Sequence, residues 1–210
     1  MASALIHIAV ANEVNKVLKH NTNQLLIGSI APDISKIIGE TKIHSHFLDN
    51  ADTDIPNIDR FLKKYSDKLY DDFVLGYFIH LYTDYLWFKY FMSEVCNNNY
   101  ITKLDGTNVK CNESMLCMYI YNDYTNLNIK LLDEYQLNLK IFYNELPKFN
   151  NIIEEIPMNK INLLINQISK IIENSKKRKD LIFNMDNVKI FIQTSVELIL
   201  AKLKELNVSY

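Results

Sequence analysis

Residues 73–91 read FVLGYFIHLYTDYLWFKYF, a stretch that is apolar or aromatic around nearly every side of the helix it would form, and that still carries His80 and Asp84. A segment apolar on all sides is either the central helix of a globular core or a membrane span. The contents argue against the span. His80, Asp84 and Lys89 would each cost about 3 kcal/mol near a bilayer centre. The tyrosines at 77, 82, 85 and 90 are spread along the run, not gathered into two end belts. In a buried helix, residues four apart share a face, so His80 and Asp84 point the same way into a dry interior. Each needs a partner there: the other, nearby backbone, or a bound group.

The rest of the chain agrees with a helical core. At 210 residues it supports one sizeable core. Only four glycines and four prolines stand among many Leu, Ile, Lys, Glu and Asn, a composition that favours helices over strands. The expected fold is all-α, a single-domain bundle over 1–210 around a buried helix carrying His-x-x-x-Asp. In LIHIAVANEVNKVLKH, apolar residues follow His7 at spacings of three and four, placing His7 on the buried stripe. His20 falls on the other side, near a helix end. A second helix through QLLIGSIA is expected to stop at Pro32, leaving Asp33 in the turn beyond. Residues 36–57 read as a loop carrying His44 and His46; residues 97–111 read as a polar connection. Helices are expected at about 112–139, 141–150, 158–175 and 185–206.

Charge and cysteine usage narrow the function. A formal charge of −2 argues against an avid, sequence-blind nucleic-acid binder. Cys96, Cys111 and Cys117 are odd in number and lack metal-ligand spacing, which suits free thiols. MASALIHIAV has no basic n-region or full apolar h-region, so a cytoplasmic location is the expectation. The run KKRK at 176–179 reads as a solvated helix end, with phosphate or an anionic membrane surface as its functional alternative.

All five histidines lie in the first eighty residues. His7, His46 and His80, with Asp33 and Asp84, are imidazole and carboxylate groups in or beside apolar helices, the ligand types of zinc and related first-row metals. If the segment is extended, His44 points away from His46. Phe47, Tyr77 and Trp87 lie around these groups as core packing or as lining of a cleft.

HIAVANEV, GSIAPDI, HSHF and FVLGYFIHLYTD, in that order, resemble the zinc-dependent phospholipase C family, whose wider relatives include fungal single-strand nucleases. The resemblance covers about residues 5–90. It implies that Asp33, His46, His80 and Asp84 enclose one zinc ion, and that His7 with the other oxygen of Asp84 begins a second. It also implies a phosphodiester hydrolase in which Asp33 is both ligand and catalytic base, acting on a small-molecule or lipid substrate in preference to nucleic acid. The chain departs from the family pattern beyond the central helix. The secreted phospholipases use an N-terminal tryptophan as a ligand, and here the only tryptophan is Trp87. Tyr90 stands where the next family histidine would fall, and no histidine follows His80. Asp123, on an aromatic-rich helix, is the candidate carboxylate substitute, with Glu113 ten residues before it. The alternative to an enzyme is a helical metal-binding module that kept the early ligands without the chemistry.

Overall fold

A computed structural model describes residues 1–137, 140 and 152–208. The architecture is all-α with one very small sheet. Helix α1 (Ala4–Leu18) begins at Ser3, whose hydroxyl accepts the Ile6 amide, and ends as Lys19 turns left-handed at φ 58°. Then come α2 (Thr22–Gly28), a 3-10 turn (Ala31–Asp33), and the short helices α3 (Ile34–Ile37) and α4 (Lys42–Ser45). Helix α5 (Ile58–Tyr65) leads to the central α6 (Asp72–Leu86). The Asp71 carboxylate caps α6 by accepting the Phe73 and Val74 amides.

Helix α6 packs against α1, α2, α5 and α10, which is why its pattern is apolar all round. Beyond Leu86 the chain widens into a π-helical turn, Trp87–Phe91. This turn sets Trp87 fully inside, against Phe91, Phe183 and Phe191. Helix α7 (Met92–Val95) precedes β1 (Cys96–Asn97), β2 (Tyr100–Thr102) and β3 (Asn108–Lys110). Helices α8 (Glu113–Glu134), α9 (Ile161–Glu173) and α10 (Met185–Glu205) complete the described core. None of the described helices is long and apolar enough to cross a membrane.

The close approach of α2 and α6 is permitted by two glycines. A Cβ on Gly28 would lie 2.2 Å from the Phe73 carbonyl oxygen, and one on Gly76 would lie 2.1 Å from that of Leu25. Neither could be accommodated without moving backbone. The two helices therefore touch main chain to main chain, one turn before His80 on α6 and one residue before Ser29 at the end of α2.

The structure corrects several sequence expectations. Helix α2 ends at Gly28, not at Pro32; Pro32 is the second residue of the 3-10 turn that contains Asp33, where a proline lacking an N–H is tolerated. The 36–57 region holds α4 and the end of α3. Residues 97–111 form an antiparallel sheet, with Cys96 paired to Ile101 and Ile101 to Val109. Signals for it are present: Asn98 and Asn99 both take positive φ in the first tight turn, and Gly106 does so in the second. Helix α8 ends at Glu134, and the helix expected at 141–150 lies outside the described residues. Residues 176–179 follow α9 as a non-helical segment.

Candidate metal centre

Four elements converge on one buried point. Helix α1 brings His7, the 3-10 turn brings Asp33, the residue after α4 brings His46, and α6 brings His80 and Asp84. His7, His80 and Asp84 are fully buried, and His46 is 1% exposed. The His7 and His80 rings stack with centroids 3.8 Å apart. Five of the six residues expected from sequence as ligands are thus brought together.

Hydrogen bonding orients the rings. His80 Nδ1 lies 2.7 Å from the Ser29 carbonyl. A carbonyl only accepts, so Nδ1 carries the proton and Nε2 of the neutral ring keeps its lone pair. Burial, with His7 beside it, lowers the His80 pKa to about 3, so the ring is neutral across the physiological range. His46 is ordered by a longer chain: Ser35 Oγ donates to the Pro32 carbonyl, Ser45 Oγ donates to Ser35 Oγ, and His46 Nδ1 meets Ser45 Oγ at 2.9 Å. With every hydroxyl proton running toward the terminal carbonyl, His46 Nδ1 is the donor. Its Nε2 is also left as a lone pair. Partners of this kind fix the ring orientation of metal-ligating histidines.

The carboxylates stay ionised despite burial. Burial pushes the Asp84 carboxyl up, but His7, His80 and the nearby terminal amine outweigh it and hold the group well below the ordinary carboxylate range. Asp33 is likewise depressed, with His46, Lys36 and His80 overcoming the burial effect. Asp84 Oδ1 accepts the Ala2 amide at 3.0 Å and stands 3.3 Å from His7 Nε2. Among the described residues six buried side-chain polar atoms lack a hydrogen-bond partner. Four of them are in this cluster: both His7 nitrogens, Asp33 Oδ1 and Asp84 Oδ2. One His7 nitrogen carries the ring proton; the other three atoms are acceptors, and such a concentration of orphaned acceptors is costly unless a cation satisfies them.

The spacing fits one. Two ligand atoms about 2.1 Å from a tetrahedral zinc ion stand about 3.4 Å apart. Here His46 Nε2 is 3.3 Å from His80 Nε2, 3.5 Å from Asp33 Oδ1 and 3.7 Å from Asp84 Oδ2, and His80 Nε2 is 3.6 Å from Asp84 Oδ2. Two groupings of ligand atoms result, His7–His80–Asp84 and Asp33–His46–His80. His80 Nε2 has a single lone pair and can serve only one ion, whereas Asp84 has two oxygens and can face both. The residues therefore offer one set of four donors, Asp33, His46, His80 and Asp84 Oδ2, and a remainder of two, His7 and Asp84 Oδ1.

Asp123 is not part of this cluster. It is fully buried on α8, where its carboxylate accepts the Leu181, Ile182 and Phe183 amides at 2.9, 2.8 and 3.1 Å. It ties the segment before α10 to α8, a role that an aspartate on a helix does not advertise in sequence. His44 is exposed on α4; it diverges from His46 because two residues of helix rotate a side chain about 200°. His20 does have a carboxylate partner, Asp72, at 2.6 Å, which joins the end of α1 to the start of α6. Glu113 is exposed at the start of α8.

A cleft of about 1050 Å³ lies in front of the cluster, lined by Asp33, Lys36, Lys42, Trp87 and apolar residues of α8 and α9 such as Leu116, Ile120 and Ile168. Of the five clustered residues only Asp33 lines it. Phe47 and Tyr77, which the sequence placed near the site, instead pack with Phe61, and the Tyr77 hydroxyl donates to the Ser45 carbonyl. The three cysteines are free thiols. No family model matches the chain, and no curated protein or solved structure matches it.

Proposed function

We propose that the chain is a metal-dependent phosphodiester hydrolase of the phospholipase C type, with zinc held by Asp33, His46, His80 and Asp84 and a second, weaker ion at His7 and the other oxygen of Asp84. The observation that carries the reading is the set of unpaired donor atoms at tetrahedral spacing, joined through Asp33 to a large cleft.

Bound zinc supplies an acidified water and compensates charge on phosphoryl oxygens. The chain's own residues do the rest. Lys36 lines the same cleft as Asp33 and draws an anionic phosphodiester toward it, whereas Lys42 there is paired with Asp54 at 3.1 Å. Asp33, held ionised, accepts the hydrogen of the attacking water at Oδ2, the oxygen not counted among the four donors, and aims the water oxygen at phosphorus. The apolar walls exclude bulk water, which strengthens these charge interactions. Those walls also suit the acyl chains of a lipid phosphodiester better than a polar nucleotide chain.

The test pairs metal content with turnover. Purified protein is expected to hold at least one zinc ion per chain and to cleave a chromogenic phosphodiester or phosphatidylcholine in a chelator-sensitive way. Asp33→Asn keeps a neutral oxygen for coordination, so much of the metal should stay while turnover falls by about two to four orders of magnitude. Zinc without turnover on a broad phosphodiester panel would favour the metal-binding module, a reading to which the engagement of Asp123 elsewhere lends support.

A further inference from the structure

The basic run at 176–179 is held in place by its backbone. The Lys176 amide donates to the Thr125 carbonyl and hydroxyl, both at 3.2 Å. The Arg178 amide donates to Asn126 Oδ1, and Asn122 Nδ2 donates to the Lys179 carbonyl. Asp123 then takes the three amides that follow. The four basic side chains are left exposed, and none has an ion-pair partner within 4.0 Å among the described residues. Immediately after them, Asp180 is withheld from the run by Lys130 and Asn126.

This fixed strip borders the cleft. Thr125 and Asn174, at its start, both line the cleft, as do Tyr121 and Ile171. Tyr121 is 62% exposed and Met118 60% exposed, and Met118 stands one turn from Asn122 on the same stripe of α8. On the other flank, Leu104 donates its amide to the Leu181 carbonyl and leaves its side chain exposed. Unpaired positive charge and protruding apolar side chains thus ring one side of an apolar-walled opening.

We propose that this rim, the 176–179 strip with Leu104, Met118, Tyr121 and Ile171, docks the protein on an anionic lipid bilayer. Cationic side chains attract the negative headgroup layer, and the apolar ones enter the headgroup–acyl boundary. Nucleic acid is the less fitting partner. Of the four apolar flanking residues only Tyr121 can stack on a base, and the overall charge of −2 lacks the basic excess of a nucleic-acid binder. The inference rests on the rim alone and does not require that the metal site turn over.

The test is sedimentation of the full chain with vesicles of phosphatidylcholine alone or containing phosphatidylserine. Binding should require phosphatidylserine and weaken as salt rises. Replacing the run by K176Q, K177Q, R178Q and K179Q together should lower affinity by about fivefold per charge removed, with melting temperature and zinc content unchanged, because the segment is held by main-chain groups. L104S with M118S should remove the salt-resistant part of the binding. Should the fourfold variant fold poorly, K177Q with R178Q provides the graded loss. Equal binding to both vesicle types, or no effect of the glutamine substitutions, would overturn the proposal. It would equally be overturned if the wild type ignored vesicles but bound a single-stranded oligonucleotide through the same four residues.

Discussion

His46 Nε2 and His80 Nε2 face each other at 3.3 Å, and the second nitrogen of each ring is committed to a hydrogen bond that leaves the facing one as a lone pair. Two lone pairs so placed repel, and two ionised carboxylates stand beside them. A divalent cation would convert every one of these repulsions into coordination, and under the proposed reading the stability of the cluster depends on that ion.

His80→Ala and Asp84→Asn should each strip metal from the protein and lower its melting temperature. Either change forfeits binding free energy that is also folding free energy and strands the remaining ionised or polar groups, at a cost of about 3–5 kcal/mol. Elemental analysis and thermal unfolding of the variants would read this directly; full zinc occupancy in either would count against the site.

Gly76→Ala should damage the same site from a distance. Its Cβ would meet the Leu25 carbonyl at 2.1 Å, so α2 and α6 must separate, with a destabilisation of about 1–3 kcal/mol. The Ser29 carbonyl would move with α2 and release His80 Nδ1. Urea unfolding should show the lost stability, and a zinc titration should show weaker binding even though no ligand has been changed.

Asp123→Ala is expected to behave in the opposite way. Removing the acceptor of two buried amides and one half-buried amide should cost about 3 kcal/mol, while zinc content stays at the wild-type value. His44→Gln should change neither quantity.

Acid should destabilise the metal-free protein in two stages. The His80 pKa falls from an ordinary 6.5 to about 3 on folding. Between those values the unfolded chain binds a proton that the folded chain refuses, so stability declines as pH drops through this window, by at most about 1.4 kcal/mol per pH unit from this group. Asp33 and Asp84 are depressed from their ordinary 3.8, so the stability they contribute is present above that value and is lost below it. Melting of chelator-treated protein across this range would show the first decline well above the carboxylate region.

The sequence by itself determined the helical class, the burial of α6 and the shared face of His80 and Asp84. Each of these is a local property: a helix apolar all round has to be central, and His80 and Asp84 share a face wherever that helix lies. It also contained Asn98–Asn99 and Gly106, whose turn signals mark the small sheet that composition obscured. Only the tertiary structure decided how far His7, Asp33 and His46 reach toward α6, because that depends on the contact of Gly28 and Gly76, which lets two backbones touch and carries Ser29 to His80. It likewise decided that Asp123 serves amides sixty residues away in the chain and that the 176–179 strip lies along α8 beside the cleft. Spacing along a chain fixes which side chains share a face; which faces meet is settled by packing between elements distant in sequence.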